Sequence, residues 1–262
     1  MSPKLQPDPI DLEVNVSSAG VVLLGKVLIF ITGDKGGTGK STCARALAAL
    51  LIRKGIATRA FDADNRNSQL YRYCNKAFSE GVQQINLAQP TGGDNLINAF
   101  QSSASVLLVD LPAGAGDSFE VFAKKMKLFK LAKREGYTIT LVSVLSRVKE
   151  SVQSLSYLLD FCGTEAQHIA CKNLFNGEPE KFKRFDNSLT RDKLLSCGGA
   201  VVHLPDLPDD TIDLLEEESL SFTAALESPK FDFADRMRIE GFLDDFEESI
   251  EQAGMAQYLG LR

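Results

Sequence analysis

A doubly wound α/β fold, with a mainly parallel sheet flanked by helices, is what this sequence predicts. Three observations carry the prediction. Short apolar runs, each long enough for one buried strand, alternate with stretches whose apolar residues recur at helical spacing. A glycine-rich turn lies between the first such run and the first such helix. The chain has 262 residues, 44% of them apolar, enough to build one large core.

Residues 1–25 read as an N-terminal tail, with Pro3, Pro7 and Pro9 followed by an apolar patch from Gly20 to Gly25 that packs on the domain or reaches a neighbour. Residues 26–262 read as a single domain. Its first strand is Val27 to Ile31, and a helix from Thr42 to Lys54 stops at Gly55. Ile56 to Phe61 forms a strand that delivers Asp62-Ala63-Asp64 at its carboxyl end, and Gln84 to Ala88 gives a short one. Val106 to Val109 delivers Asp110, and Lys124, Lys125, Lys127, Lys130, Lys133 and Arg134 crowd one predicted helix after it. A strand at Tyr137 to Val144, a helix from about Val148 to Phe161, and strands at Ile169 to Leu174 and Ala200 to Leu204 follow. The end of the chain reads as an acidic amphipathic helix with Ile239, Phe242, Leu243, Phe246 and Ile250 on one face, which docks on the body.

The turn itself reads Asp34-Lys35-Gly36-Gly37-Thr38-Gly39-Lys40-Ser41-Thr42. Strand, glycine turn, helix is the context a phosphate-binding loop requires, because glycines let consecutive backbone N–H groups point at one anion. Lys40 is placed to neutralise the outer phosphates, and the Ser41 hydroxyl to ligate Mg²⁺. In an open α/β sheet, ligands sit at the carboxyl ends of strands. Asp110 stands at such an end and suits the support of Mg²⁺, which keeps several waters and needs few carboxylates. Gly114 and Gly116 leave the following segment free to move with a terminal phosphate.

Other chemistry is disfavoured. No apolar run approaches the roughly 18–20 residues that span a bilayer, and the first residues lack a signal peptide's basic head and apolar middle. Cytoplasmic residence is the expectation, and five cysteines without a CxxC pair are expected to be reduced thiols. His168 and His203 lie in strand-like runs without further ligands at metal spacing, so both are expected to be satisfied core or edge histidines. The net charge is -6 and the mean hydropathy -0.07. The last helix lacks the basic polar face that membrane binding requires.

The loop, with a second lysine directly before its glycine pair, resembles the deviant Walker A motif KGGxGK[ST] of the ParA/MinD family of P-loop ATPases. Asp62-Ala63-Asp64 resembles that family's switch I, and the segment from Val106 to Gly114 its switch II. Asn65-Arg66 stands where the family continues with Pro-Gln. The resemblance implies ATP and Mg²⁺ as cofactors and hydrolysis of ATP to ADP and phosphate. It implies phosphate contacts from Gly36, Gly37, Thr38, Gly39, Lys40, Ser41 and Thr42. Asp64 is implied to orient the attacking water, with Asp62 supporting the Mg²⁺ shell. Lys35 is implied to cross an ATP-dependent homodimer and neutralise charge on the partner's phosphates. Asn173 is expected to read the purine edge, and Pro205 to pack on adenine.

The expected setting is DNA or plasmid partition, or conjugative transfer, with slow turnover stimulated by a protein partner. The lysine-rich helix and a second basic patch, Lys181, Lys183, Arg184, Arg191 and Lys193, are candidates for DNA binding through phosphates without sequence preference. A metabolic ATP-dependent kinase or amide ligase of the same fold is the alternative. An iron–sulfur relative is disfavoured by the lack of paired cysteines in the switch region.

Overall fold

In the computed structural model, which describes residues 25–33 and 35–262, seven strands form one sheet and every pairing is parallel. The strands are β1 Lys26–Thr32, β2 Thr58–Asp62, β3 Val82–Gln84, β4 Val106–Asp110, β5 Tyr137–Leu145, β6 Gln167–Asn173 and β7 Ala200–Leu204. The helices are α1 Lys40–Arg53, α2 Gln69–Cys74, α3 Asp94–Ala99, α4 Gly116–Met126, α5 Leu128–Arg134 and α6 Lys149–Cys162. After them come α7 Lys183–Asp186, α8 Leu189–Ser196, α9 Asp209–Glu217, α10 Phe222–Glu227 and α11 Phe233–Gln252. Residues 1–24, read from the sequence as part of a tail, and Asp34 of the loop lie outside the described residues.

The strand order is β3-β2-β4-β1-β5-β6-β7. The chain winds from β1 toward β3, then crosses back to β5 on the other side of β1. The winding direction therefore reverses beside β1, and a crevice opens at that strand's carboxyl end.

Strand periodicity explains why both faces need helices. In β1, Val27, Ile29 and Ile31 enter one core cluster while Leu28 and Phe30 enter the opposite one. The first cluster includes α1, α10 and α11; the second includes α3, α4 and α5. Arg45 of α1 is 2% exposed, and its guanidinium lies 4.1 Å from the Tyr73 ring centroid and 5.2 Å from that of Phe222. Burial lowers its pKa, and the two ring faces offset part of the lost hydration. His168, buried in β6, bonds through Nε2 to the Gly163 carbonyl at 3.0 Å.

The terminal helix matches its amphipathic pattern. The buried residues of α11 are the same Ile239, Phe242, Leu243, Phe246 and Ile250. Its acidic face also ties to α1, through Arg53–Asp244 at 2.9 Å and Lys54–Glu247 at 2.6 Å. Among the described residues, no helix is long and apolar enough to cross a membrane.

Two sequence expectations need correction. The third strand runs over Val82–Gln84, not Gln84 to Ala88, because its partner β2 ends at Asp62, which pairs with Gln84. Ile85 and Leu87 are buried all the same, which is what made the later segment look like a strand. The lysine-rich helix is two helices, broken at Lys127, whose φ of 50° is left-handed. Phe119, Phe122 and Ala123 are buried before the break, and Leu128 and Ala132 after it. One straight helix cannot turn both sets to the core, so the chain changes phase between them.

Candidate functional site

The loop after β1 has little freedom. A Cβ on Gly33 would lie 3.1 Å from both the Lys40 Cγ and the Val144 carbonyl oxygen. Gly37 and Gly39 take φ of 79° and 87°, where side-chain-bearing residues are strained. A Cβ on Gly39 would also stand 2.1 Å from the Asn173 Nδ2. The 14-residue α1 then starts at Lys40 with no side-chain cap and no acidic residue in its first turn. Its first N–H groups and the positive end of its dipole therefore suit an anion from outside the chain. Lys40 is 6% exposed and donates to the Lys35 carbonyl at 3.0 Å, which also accepts from the Thr38 hydroxyl at 3.2 Å.

The sheet register sets Asp62 and Asp110 side by side, with Asp110 next to Ile31 at the end of β1. Both aspartates are fully buried, yet they differ in what holds them. Asp62 accepts the Asp64 N–H at 3.0 Å on one oxygen and the Tyr71 N–H at 2.9 Å on the other. It thereby fixes the turn that carries Asp64. Burial raises its pKa to about 6 against those two bonds.

Neither oxygen of Asp110 has a hydrogen-bond partner among the described residues. Burial raises its pKa to about 7, opposed by the Ser41 hydroxyl and the Lys40 charge. The Ser41 hydroxyl thus lies near enough to favour the carboxylate without completing a hydrogen bond. A buried acceptor pair left open beside a serine hydroxyl and a lysine fits a hydrated Mg²⁺, a hard ion that takes oxygen ligands.

The raised pKa has a consequence for the ligand-free protein. The folded state holds a proton on Asp110 that the unfolded state releases near pH 4, so stability falls as pH climbs from about 4 through about 7. Asp110→Asn removes this dependence. Its stability advantage over wild type is expected to grow by about 3 kcal/mol between pH 5 and pH 8, at about 1.4 kcal/mol per pKa unit over the two units from pH 5 to the folded pKa. Urea melts at the two pH values measure it, and an advantage that does not change with pH would contradict the assignment.

A cavity of about 290 Å³ adjoins the loop. Its lining includes Gly36, Gly37, Gly39, Lys40, Ser41 and Thr42 together with Asp64, Asn173 and Pro205. Residues up to 169 positions apart in the sequence reading therefore converge on one space. Asp64 accepts the N–H groups of Arg66 and Asn67, both at 3.1 Å, on one carboxylate oxygen. Gly114 (φ 67°) donates to the Gly33 carbonyl at 3.3 Å, so the segment after Asp110 touches the start of the loop.

Asn173 has an occupation the sequence did not suggest. Its amide N–H donates to the Thr38 carbonyl at 2.9 Å and its oxygen accepts from the Phe175 N–H at 3.2 Å. It braces the glycine loop, and its second N–H and the oxygen's second lone pair are what it keeps for a base edge. Lys35 stands outside this cavity, half exposed, with its ammonium 3.4 Å from Glu150 at the start of α6. Sequence reasoning also missed Phe175, which is 57% exposed and lines the cavity. The signal was available, as an aromatic residue between Asn173 and the turn formers Asn176 and Gly177.

Comparison with known proteins agrees with this geometry. Residues 29–261 match the model of the CobQ/CobB/MinD/ParA nucleotide binding domain. The chain is 26% identical over 206 residues to Protein MobD of Acidithiobacillus ferrooxidans, covering 78% of this chain and 88% of that protein. Two solved structures share the fold. One is the septum site-determining protein MinD of Pyrococcus horikoshii complexed with Mg-ADP, at 17% identity, a TM-score of 0.50, and coverage of 88% of this chain and 98% of that one. The other, from Borrelia burgdorferi and bound to AMPPNP, is described as a "putative plasmid partition protein", at 14% identity, a TM-score of 0.51, and coverage of 87% and 99%. With the family model spanning residues 29–261 and a parallel sheet of the fold that such proteins share, this protein belongs to the CobQ/CobB/MinD/ParA family of nucleotide-binding P-loop proteins.

Proposed function

We propose that the protein is a Mg²⁺-dependent ATPase that works as a nucleotide-switched homodimer in plasmid or DNA partition or in conjugative transfer. The observation that carries the reading is the placement of Lys35. It projects from the phosphate loop yet lies outside the cavity that the rest of the loop lines, on a surface a second subunit can meet. A lysine so placed serves a phosphate bound elsewhere better than one bound in its own loop.

In this reading the N–H groups of residues 36–42 hold the phosphates, and Lys40 neutralises them from within. Ser41 and Asp110 would hold Mg²⁺, with Asp62 supporting the shell through the lone pair each of its oxygens retains. When bound, the ion supplies charge neutralisation on the phosphates. Asp64 orients the attacking water. Phe175 and Pro205 offer apolar surface to the base, and Asn173 keeps the loop in shape. The partition setting follows the plasmid-partition name given to the Borrelia structure that shares this fold.

The reading is tested by ATP turnover with no third substrate. Slow release of phosphate that rises with DNA or a protein partner supports it, whereas strict dependence on a small-molecule acceptor would favour a kinase or ligase.

The second basic patch gives a further expectation. Lys181, Lys183 and Arg184 line a concavity together with Arg147, at the end of the sheet where Lys35 lies. If about four phosphates are contacted, log K for duplex DNA should fall with log[salt] at a slope near about -3.6. Lys181→Glu with Lys183→Glu should flatten it. A binding curve indifferent to salt would remove DNA from the account of this patch.

A further inference from the structure

Asp64 keeps one acceptor to spare beside the phosphate loop. One of its oxygens takes the Arg66 and Asn67 N–H groups, and the other has no hydrogen-bond partner among the described residues. A single oxygen holds one proton of a water and leaves the water's direction unset. The segment after Asp110 reaches the cavity as Ala113, which has no polar side chain to add.

Gln69 supplies what is missing. It lines the same cavity, half-buried, and its side-chain amide makes no hydrogen bond among the described residues. The backbone around it is held from several directions. The Gln69 N–H donates to the Asn67 carbonyl at 2.7 Å. The Ser68 hydroxyl donates to the Asp64 carbonyl and accepts from the Gln84 amide, both at 2.8 Å. Asp62 ties the two ends of the stretch together through the Asp64 and Tyr71 N–H groups.

The helices fix which part of the cavity this amide borders. Helices α1 and α2 both start from the carboxyl ends of parallel strands, so they run in the same direction. Tyr73 of α2 lies against Arg45 of α1, 4.1 Å from guanidinium to ring centroid. One turn earlier on each helix stand Gln69 and Ser41, and both line the cavity. Gln69 therefore belongs to the Ser41 end, where the terminal phosphate lies in the ATPase reading.

We propose that Gln69 is a second catalytic residue of the hydrolysis, an inference that rests on that reading. Its amide oxygen accepts one proton of the attacking water, and its N–H donates to the terminal phosphate. The spare Asp64 oxygen takes the water's other proton. An amide carries an acceptor and two donors on one planar group and stays neutral beside phosphates. The water oxygen bonds to the terminal phosphorus as that phosphorus parts from the bridging oxygen, whose electron pair leaves with ADP. The transferred proton passes to Asp64, and Gln69 takes none.

Phosphate release and ATP-induced stabilisation of the full chain test it. Gln69→Ala should lower kcat about a hundredfold, the scale of a misoriented reactant. KM and the melting shift with ATP and Mg²⁺ should stay as in wild type. Gln69→Glu keeps an acceptor but loses the donors, and it should not restore the rate. Arg66→Ala, at an exposed position of the same turn outside the cavity lining, should turn over like wild type. An unchanged kcat in Gln69→Ala overturns the inference and leaves the ATPase reading standing. Loss of the ATP shift in that variant also overturns it, because Gln69 then serves binding or the fold. So does an equal loss of rate in Arg66→Ala, which marks damage to the turn. If wild type releases no phosphate without a third substrate, the ATPase reading falls and the inference falls with it.

Discussion

Lys40→Ala is expected to abolish the stabilisation that ATP confers while leaving the protein folded. The ammonium is almost fully buried where α1 begins, so its removal leaves a triphosphate beside a helix end with no compensating charge. At 100 times Kd, ligand binding stabilises the folded state by about 2.7 kcal/mol. Wild type should show that shift in a thermal melt with ATP and Mg²⁺, and the mutant none. The fold survives for reasons visible in the structure. The Lys35 carbonyl keeps a donor in the Thr38 hydroxyl, and alanine is a favourable residue in a helix. An undiminished ATP shift in folded Lys40→Ala would remove the phosphate-loop assignment.

The second large effect separates a dimeric switch from an ordinary catalyst. Asp64 lines the cavity without belonging to the glycine loop. Asp64→Ala should therefore bind ATP yet hydrolyse it at least about a hundredfold more slowly, the usual scale for losing a positioned base. The ATP-bound dimer should accumulate. Asp64→Asn is the control for the turn, since it keeps an acceptor for the Arg66 and Asn67 N–H groups. Lys35→Ala should fail earlier. Without it, two nucleotide anions face each other across the interface uncompensated, and dimerisation itself should be lost.

Light scattering after size exclusion, with ATP and Mg²⁺, compares the two variants. A long-lived dimer for Asp64→Ala beside a monomer for Lys35→Ala supports action in trans. Two monomers, or two dimers indifferent to nucleotide, would make the metabolic-enzyme reading the better one. The Lys35–Glu150 pair does not complicate the outcome, because both side chains are about half exposed and such pairs contribute little.

Much of this was legible in the residues. The apolar runs located six of the seven strands closely, because a strand buried on both faces needs near-continuous apolar sequence. The third strand was misplaced by a few residues because its length is set by where β2 ends, which its own residues do not encode. The lysine-rich helix looked continuous because nothing at Lys127 marks a left-handed residue; no glycine or asparagine stands there.

The sequence by itself determined the fold class, the phosphate loop, the two aspartates at strand ends and the buried face of α11. Each is local, since it depends on residues whose spacing is fixed by one strand, turn or helix. Tertiary structure decided what those groups do to one another. The register of β2 beside β4 brings Asp62 next to Asp110, and only the turn and helix that follow β2 occupy the first carboxylate while the second is left open. The approach of β6 to the loop gives Asn173 a bond to the Thr38 carbonyl that its place in the sequence did not announce. A side chain's partners are set by what packing places within about 3 Å of it, whether the turn and helix that follow, as for Asp62, or a loop more than a hundred residues away, as for Asn173.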